Sequence, residues 1–295
     1  MDVNIVDTTL RDGEQKAGIA LGINEKVKIA KILDDIGIYQ IEAGSAAMGG
    51  EEKASIEKIA ALGLKSKISS WNRANIKDID ASIDCGVDIV HISIPTSDLQ
   101  IKSKLGKDKA WVLERIKKCT TYALEKGYEV TVGMEDATRS DINFLIEFCT
   151  VVSEIGIKRI RYSDTVGISY PRKVFYSIKK LLQEVPIEME IHAHNDFGMA
   201  LANSLAAVEA GAKFANCTIS GVGERAGNCD FIRFAQTLDM FEGEKVCPLN
   251  IEQILRKYLG ACHYSGTFKF PFGACHHSGM FLPPFGACHQ IMQLQ

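Results

Sequence analysis

The segment Glu190-Ile191-His192-Ala193-His194-Asn195-Asp196 carries two imidazoles two residues apart. On a strand, alternate side chains share a face, so His192 and His194 would present their ring nitrogens side by side. An apolar core rarely takes two polar rings flanked by Asn195 and Asp196, whereas paired imidazoles suit a divalent ion. A carboxylate completing the set would leave coordination positions open to a substrate, which separates a catalytic ion from a closed structural one. Asp12, in Asp7-Thr8-Thr9-Leu10-Arg11-Asp12-Gly13-Glu14-Gln15, is the candidate. Read alone, Asp12 beside Gly13 serves equally well as a turn residue. The guanidinium of Arg11 offers a fixed fork that can stabilise an enolate or alkoxide oxygen, against the commoner fate of a surface salt bridge.

These groups need a scaffold that brings distant segments to one place. From residue 3 to about residue 242, short β-rich apolar runs alternate with segments of helical period, the pattern of βα units around a parallel sheet. Eight strands are expected, near Asn4 to Asp7, Gln40 to Ala43, Ser66 to Ser70, Ile89 to Ile94, Glu129 to Gly133, Arg159 to Tyr162, Glu188 to Ala193 and Phe214 to Ile219. Helices are expected over Glu25 to Ile36, Ala110 to Lys126, Asn143 to Ile155 and Ala200 to Ala210. Gly37, Gly63, Gly86, Gly127, Gly156 and Gly211 fall just past helical segments, where a left-handed cap is wanted. The regular punctuation, with no GxGxxG after the first strand, favours a closed (β/α)8 TIM barrel over an open doubly wound sheet. Chemistry in such a barrel sits at the C-terminal ends of strands. Those ends carry Glu42, Glu135-Asp136 with Arg139, Ser163-Asp164-Thr165, and Gly221-Val222-Gly223-Glu224-Arg225-Ala226-Gly227-Asn228. Asn228 could add a carbonyl oxygen to the ion.

The 295 residues, 46% hydrophobic, can bury a large core. A net charge of −3 gives no basic field for phosphate backbones, so no nucleic-acid partner is expected. Met1-Asp2-Val3-Asn4 lacks the basic start of a signal peptide, and no apolar run approaches membrane-spanning length, so a cytoplasmic protein with no membrane association is expected. Six of the nine cysteines are scattered without CxxC pairs and read as buried thiols.

Taken together and in order, DTTLRDGEQ, EDATRSD, SDTVG, HAHNDFGMALANSLAAVEAGA and GVGERAGN resemble the DRE-TIM group of metal-dependent acyl-CoA condensing enzymes, the isopropylmalate, citramalate and homocitrate synthases. The resemblance covers roughly the first 240 residues. It implies a transferase acting on acetyl-CoA and an α-ketoacid by Claisen condensation and thioester hydrolysis, with a divalent ion (Mg, Mn or Zn). It implies Asp12, His192, His194 and Asn228 at the metal, catalytic roles for Arg11 and Glu135, and substrate contacts from Arg11, Gln15, Glu42, Arg139 and Thr165. IEAGSAAMGGEE, SSWNRAN and IRYSDTVG are most similar to the homocitrate synthases associated with nitrogen fixation, which implies 2-oxoglutarate as acceptor. Its second carboxylate needs a cationic clamp, for which Arg139, with Thr165 and Arg161 nearby, is the candidate. Isopropylmalate and citramalate synthesis are the alternatives.

The expected organisation is a barrel over 1–245, a helical extension over 246–259 and poorly structured repeats over 260–295, where GACHYSGTFKFPF, GACHHSGMFLPPF and GACHQIMQLQ follow one another. Adjacent Cys-His pairs such as Cys262-His263 and Cys275-His276 lack the spacing of a zinc site. The resemblance implies a small lobe beyond the barrel that supplies a histidine base across an oligomer. HHSGM aligns with its HESGIH segment so that the base falls on Phe281, and on Phe268 in the first copy. The expectation is therefore a part-enzyme, homo- or hetero-oligomeric, needing a chain that brings this lobe, with a catalytically silent binding subunit as the rival. Acting alone, it would take its base from Glu135 or Glu190.

Overall fold

The computed structural model describes residues 3–242. Eight parallel strands close on themselves in sequence order: β1 (Asn4–Asp7), β2 (Gln40–Glu42), β3 (Lys67–Arg73), β4 (Ile89–Pro95), β5 (Glu129–Glu135), β6 (Arg159–Asp164), β7 (Glu188–Ala193) and β8 (Phe214–Cys217). Closure comes from β1 pairing with β8, Asn4 opposite Phe214 through Asp7 opposite Cys217. A helix of nine or more residues follows each strand: α1 (Ile23–Asp35), α2 (Gly50–Ala60), α3 (Ile76–Asp84), α4 (Lys109–Glu125), α5 (Ile142–Glu154), α6 (Pro171–Glu184), α7 (Ala200–Glu209) and α8 (Phe231–Glu242). This is the expected TIM barrel. No described helix is long and apolar enough to cross a membrane. The helix expected over 246–259 and the repeats over 260–295 lie outside the described residues.

Local signals explain the element ends. Asn75, Asp108 and Asp141 cap α3, α4 and α5, each side chain accepting a hydrogen bond from a first-turn N–H. The six glycines expected past helices all have positive φ, from +65° at Gly63 to +112° at Gly211. Six strands differ from expectation by one to three residues at an end, and two of these differences have a visible cause. β3 runs on past Ser70 because Trp71 to Arg73 keep their register with His91 to Ser93 of β4. β8 stops before Thr218, whose N–H turns to the carbonyl of Cys229 in the following loop.

Apolar side chains such as Ile29, Leu33, Ile56, Val112, Phe148 and Ile178 fill the layer between sheet and helices. Inside the barrel the filling is polar: Glu42, His91, Thr131, Arg161, Glu190 and Asn216 are all buried, where branched aliphatic layers are the usual solution. The described cysteines, Cys85, Cys119, Cys149, Cys217 and Cys229, are free and buried. Burial pushes the Cys149 thiol up to about 12.

The loop after β1 is anchored by one buried cation. Lys26 of α1, 1% exposed, pairs with Glu14 in that loop and with Glu52 of α2. Glu14 also accepts from the N–H of Leu21, and Glu52 from that of Ser45. Lys26→Met should destabilise the barrel by about 3–5 kcal/mol, because it leaves two carboxylates without their shared partner. Equilibrium urea unfolding measures this, and a loss below about 1 kcal/mol would show that the triad does not anchor the loop.

Candidate active site

The chain leaves β1 in a tight turn in which the N–H groups of Arg11, Asp12 and Gly13 all donate to the carbonyl of Thr8, at 2.9–3.1 Å. Asp12 thereby comes to lie buried at the C-terminal mouth of the barrel, 1% exposed. His192 is on β7 and His194 one residue past its end, both buried. Their Nε2 atoms are 3.2 Å apart and lie 3.8 and 3.9 Å from Asp12 Oδ2.

The tautomer of His192 follows from its neighbours. Asn216 of β8 donates through Nδ2 to Glu190 Oε1 at 3.2 Å, which turns its Oδ1 toward His192 Nδ1 at 2.9 Å. A proton must then sit on Nδ1, leaving the Nε2 lone pair free. Ligands about 2.1 Å from an ion and adjacent to one another are separated by about 3.0–3.4 Å. The two nitrogens already meet that spacing, and the carboxylate needs only a small approach. Two more buried atoms, His194 Nδ1 and Asn228 Oδ1, have no protein partner. One oxygen and two imidazole nitrogens on one side, with the Asn228 carbonyl oxygen unpaired, fit an open divalent site.

Electrostatics favour the same reading. Burial alone would raise the Asp12 pKa, but the Arg11 guanidinium, with His192, His194 and the Asn228 amide, outweighs it and holds this carboxyl far below the usual carboxylate range. Burial pushes His192 down to about 3 and also lowers His194, against the opposing pull of Asp12. The donor set is therefore one carboxylate and two neutral imidazoles at neutral pH.

Arg11 is not a surface ion pair. Its side chain is 11% exposed, with Nε donating to Glu42 Oε1 at 2.6 Å and Nη1 to Asp12 Oδ2 at 2.9 Å. Its guanidinium lies 5.8 Å from the Trp71 ring centroid. Glu42 also accepts from the Thr8 hydroxyl at 2.9 Å and from Arg161 Nη2 at 2.7 Å. Burial works against the charge on Glu42, yet Arg161 and Arg11 keep its pKa well below the ordinary value. Asn228 donates to Asp12 Oδ1 at 2.7 Å, and the backbone of Gly223 passes so close that a Cβ there would lie 1.9 Å from Asn228 Nδ2 and 2.7 Å from Asp12 Oδ1. The glycine is required by this close approach.

The structure thus brings Arg11, Asp12, Glu42, His192, His194 and Asn228 into one cluster. Arg139 and Thr165 meet elsewhere, around Asp136. Arg139 forks onto that carboxylate at 2.7–3.0 Å, and Thr165 Oγ1 accepts the Asp136 N–H at 2.8 Å. Asp136 is buried, holds the left-handed φ of +57°, and also accepts from the Ser97 hydroxyl. Glu135 ends β5 in an ion pair with Lys104 at 2.6 Å, and Gln15 is exposed in the turn after Asp12. Arg161, expected near the clamp, is buried between Glu42 and Glu190, which take its Nη2 and Nε.

Sequence reasoning missed Asn216, which sits opposite His192 in the β7–β8 register, and Arg225, which forks onto Asp196 at 2.8–3.0 Å and reaches the Thr165 carbonyl. The signal for Asn216 was a polar residue at an inward position of the strand beside the histidines.

Mn2+ added to the metal-free chain at pH 7 should release well under one proton per ion, because Asp12 enters ionised and both imidazoles enter neutral. Because both histidines lie below the ordinary imidazole value, proton competition should weaken Mn2+ binding at lower pH than it would for a pair of ordinary imidazoles. Calorimetry in buffers of different ionisation enthalpy reads both. Release of a full proton per ion would show that one of the three groups enters protonated.

Comparison with known proteins agrees with this geometry. The HMGL-like family model matches residues 2–256. The homocitrate synthase subunit alpha of Clostridium pasteurianum is 61% identical over 257 residues, covering 87% of this chain and 96% of that protein. The 2-isopropylmalate synthase 2 of Caldanaerobacter subterraneus subsp. tengcongensis is 53% identical, covering 77% of this chain; the chain spans only 59% of its length. Among solved structures, the hydroxymethylglutaryl-CoA lyase of Pseudomonas aeruginosa superposes with a TM-score of 0.75 at 19% identity, covering 90% of this chain and 94% of the lyase, a likeness of fold alone. With the barrel, the clustered donors and these matches in agreement, the chain belongs to the HMGL-like family.

Proposed function

We propose that this chain condenses acetyl-CoA with 2-oxoglutarate, giving homocitrate and free CoA, as a subunit of a homocitrate synthase. The observation that carries the reading is Arg11 held between Glu42 and Asp12 beside the facing His192 and His194. The name of the relative from Clostridium pasteurianum supports the choice of acceptor. Asp12, His192 and His194, with Asn228 beside them, would hold a divalent ion (Mg, Mn or Zn), which when bound supplies Lewis acidity toward the 1,2-oxygens of the ketoacid.

The chain's own groups account for the rest. Removal of a methyl proton from acetyl-CoA gives an enolate whose carbon bonds to the keto carbon, and negative charge grows on the former keto oxygen. Arg11 is pre-oriented to neutralise that charge: two of its donors are fixed on carboxylates, and Nη2 has no partner among the described residues. Protonation of the oxygen gives the hydroxyl of the product, and one water cleaves the thioester to release the CoA thiol. Gln15 and Glu42 are proposed substrate contacts near Arg11, Glu42 by orienting it. Arg139 and Thr165 are proposed for the distal carboxylate, Arg139 sharing its fork between Asp136 and the ligand. Glu135 is the candidate catalytic carboxylate on this chain, since Glu190 is fixed in a buried ion pair.

We also propose that a second chain completes the site and brings the general base. The relative of matching length is named a subunit alpha, which supports this division.

Release of CoA with acetyl-CoA and a divalent ion, measured against 2-oxoglutarate, 2-oxoisovalerate and pyruvate, tests the reading. The chain with its partner should favour 2-oxoglutarate, and the chain alone should be slower by about a hundredfold to ten-thousandfold, the usual cost of losing a general base. Preference for 2-oxoisovalerate would favour the isopropylmalate reading supported by the 53% identical relative. No release with any acceptor, partner included, would leave a silent binding subunit. Arg11→Lys should lower kcat on the order of a hundredfold, as loss of an oxyanion donor does; an unchanged kcat would reduce Arg11 to a structural ion pair.

A further inference from the structure

The cluster at the mouth of the barrel stands on a buried network that the mechanism does not itself use. Arg161 of β6 is 2% exposed, and Glu42, Glu190 and Asn216 are each 0% exposed. Its Nη2 donates to Glu42 Oε2 at 2.7 Å and its Nε to Glu190 Oε1 at 2.6 Å, so one guanidinium joins carboxylates from β2 and β7. Each carboxylate leads on. The other oxygen of Glu42 receives Arg11 Nε at 2.6 Å. Glu190 Oε1 receives Asn216 Nδ2, and Asn216 Oδ1 faces His192 Nδ1 at 2.9 Å.

We propose that Arg161 is a positioning residue that sets two parts of the site at once, the direction of the Arg11 fork through Glu42 and the tautomer of His192 through Glu190 and Asn216. Replacing a buried ion network with packed aliphatic side chains is often neutral or stabilising, so barrel stability alone gives little reason for these charges. The arrangement does what aliphatic filling cannot: it orients an amide so that a histidine keeps its proton on Nδ1 and its lone pair on Nε2. The inference rests on the proposed metal-dependent reading of the site.

Three measurements on the full chain test it: the 15N shifts of the His192 imidazole, the affinity of the metal-free protein for Mn2+, and kcat for CoA release at saturating Mn2+. Asn216→Leu should cut one arm, moving the His192 proton off Nδ1 and weakening Mn2+ binding about 10- to 100-fold, the usual effect of losing an outer partner of a metal-binding histidine. Arg161→Met should make both changes and also lower kcat at saturating Mn2+ by about tenfold or more through Arg11. The Mn2+ losses of the Arg161→Met, Asn216→Leu double variant should be no larger than the larger single loss, because both act through one chain of contacts. Arg161→Lys keeps the charge, and it takes the same tests if the methionine variant does not fold; its single ammonium should hold only one arm.

A folded Arg161 variant with the wild-type His192 tautomer and Mn2+ affinity overturns the proposal, as do additive Mn2+ losses in the double variant. If the wild-type chain binds Mn2+ but releases no CoA with any acceptor even with its partner present, the functional reading fails while the imidazole and Mn2+ results still decide the relay. If it binds no Mn2+, the imidazole shifts alone decide it.

Discussion

The ion pair of Arg161 with Glu42 and Glu190 is the contact on which the mouth of the barrel depends. It ties β2, β6 and β7 together from inside, and both sides of the cluster are built on it. Ions taken from water into a protein interior cost several kcal/mol each, so such groups persist only where every charge is matched and every lone pair or proton is used. The match is close. Arg11, Arg159 and Arg161 face Asp12, Glu42 and Glu190, and burial of Arg161 is more than offset by its two carboxylates, which raise its pKa. His91 sits in the same interior as a neutral ring, its pKa well below the ordinary value through burial and the nearby guanidinium of Arg161.

From this base the loops can be short and still exact in their placement. The turn after β1 is held on its outer side by Lys26 and on its inner side by Arg11 and Asp12. The loop after β8 is held across its neighbours: Lys16 donates to the Arg225 carbonyl, and Arg225, itself in the left-handed region at φ +54°, grips Asp196 and the Thr165 carbonyl. Among the described residues, left-handed non-glycine backbone occurs at Asp136 in the loop after β5 and at Ser220 and Arg225 in the loop after β8. That is where strain is stored when the surroundings fix a functional arrangement.

Strand and helix periodicity, with glycines past the helices, made the barrel legible in the sequence, because each βα unit is a local pattern. The metal-type donors were legible too: His192 and His194 lie two residues apart, and Asp12 follows a strand. What could not be read was pairing across strands. Arg161 looked like a free cation for a ligand, yet it faces two carboxylates 29 and 119 residues away in sequence. Arg139 carries the same lesson, since its partner Asp136 becomes available only through a left-handed backbone. Asn216 becomes a partner of His192 only through the register of β7 and β8. The tilt of a closed barrel decides which inward side chains meet, and one-dimensional alternation does not contain it.

The central claim is that Asp12, His192 and His194 hold a divalent ion beside Arg11. Anomalous X-ray scattering from crystals of the chain grown with Mn2+ tests it most directly. The account predicts a strong peak within coordination distance of Asp12 Oδ2 and both histidine Nε2 atoms, lost in a crystal of the His194→Ala variant. A strong peak elsewhere in the molecule, with none among these three atoms, would contradict it.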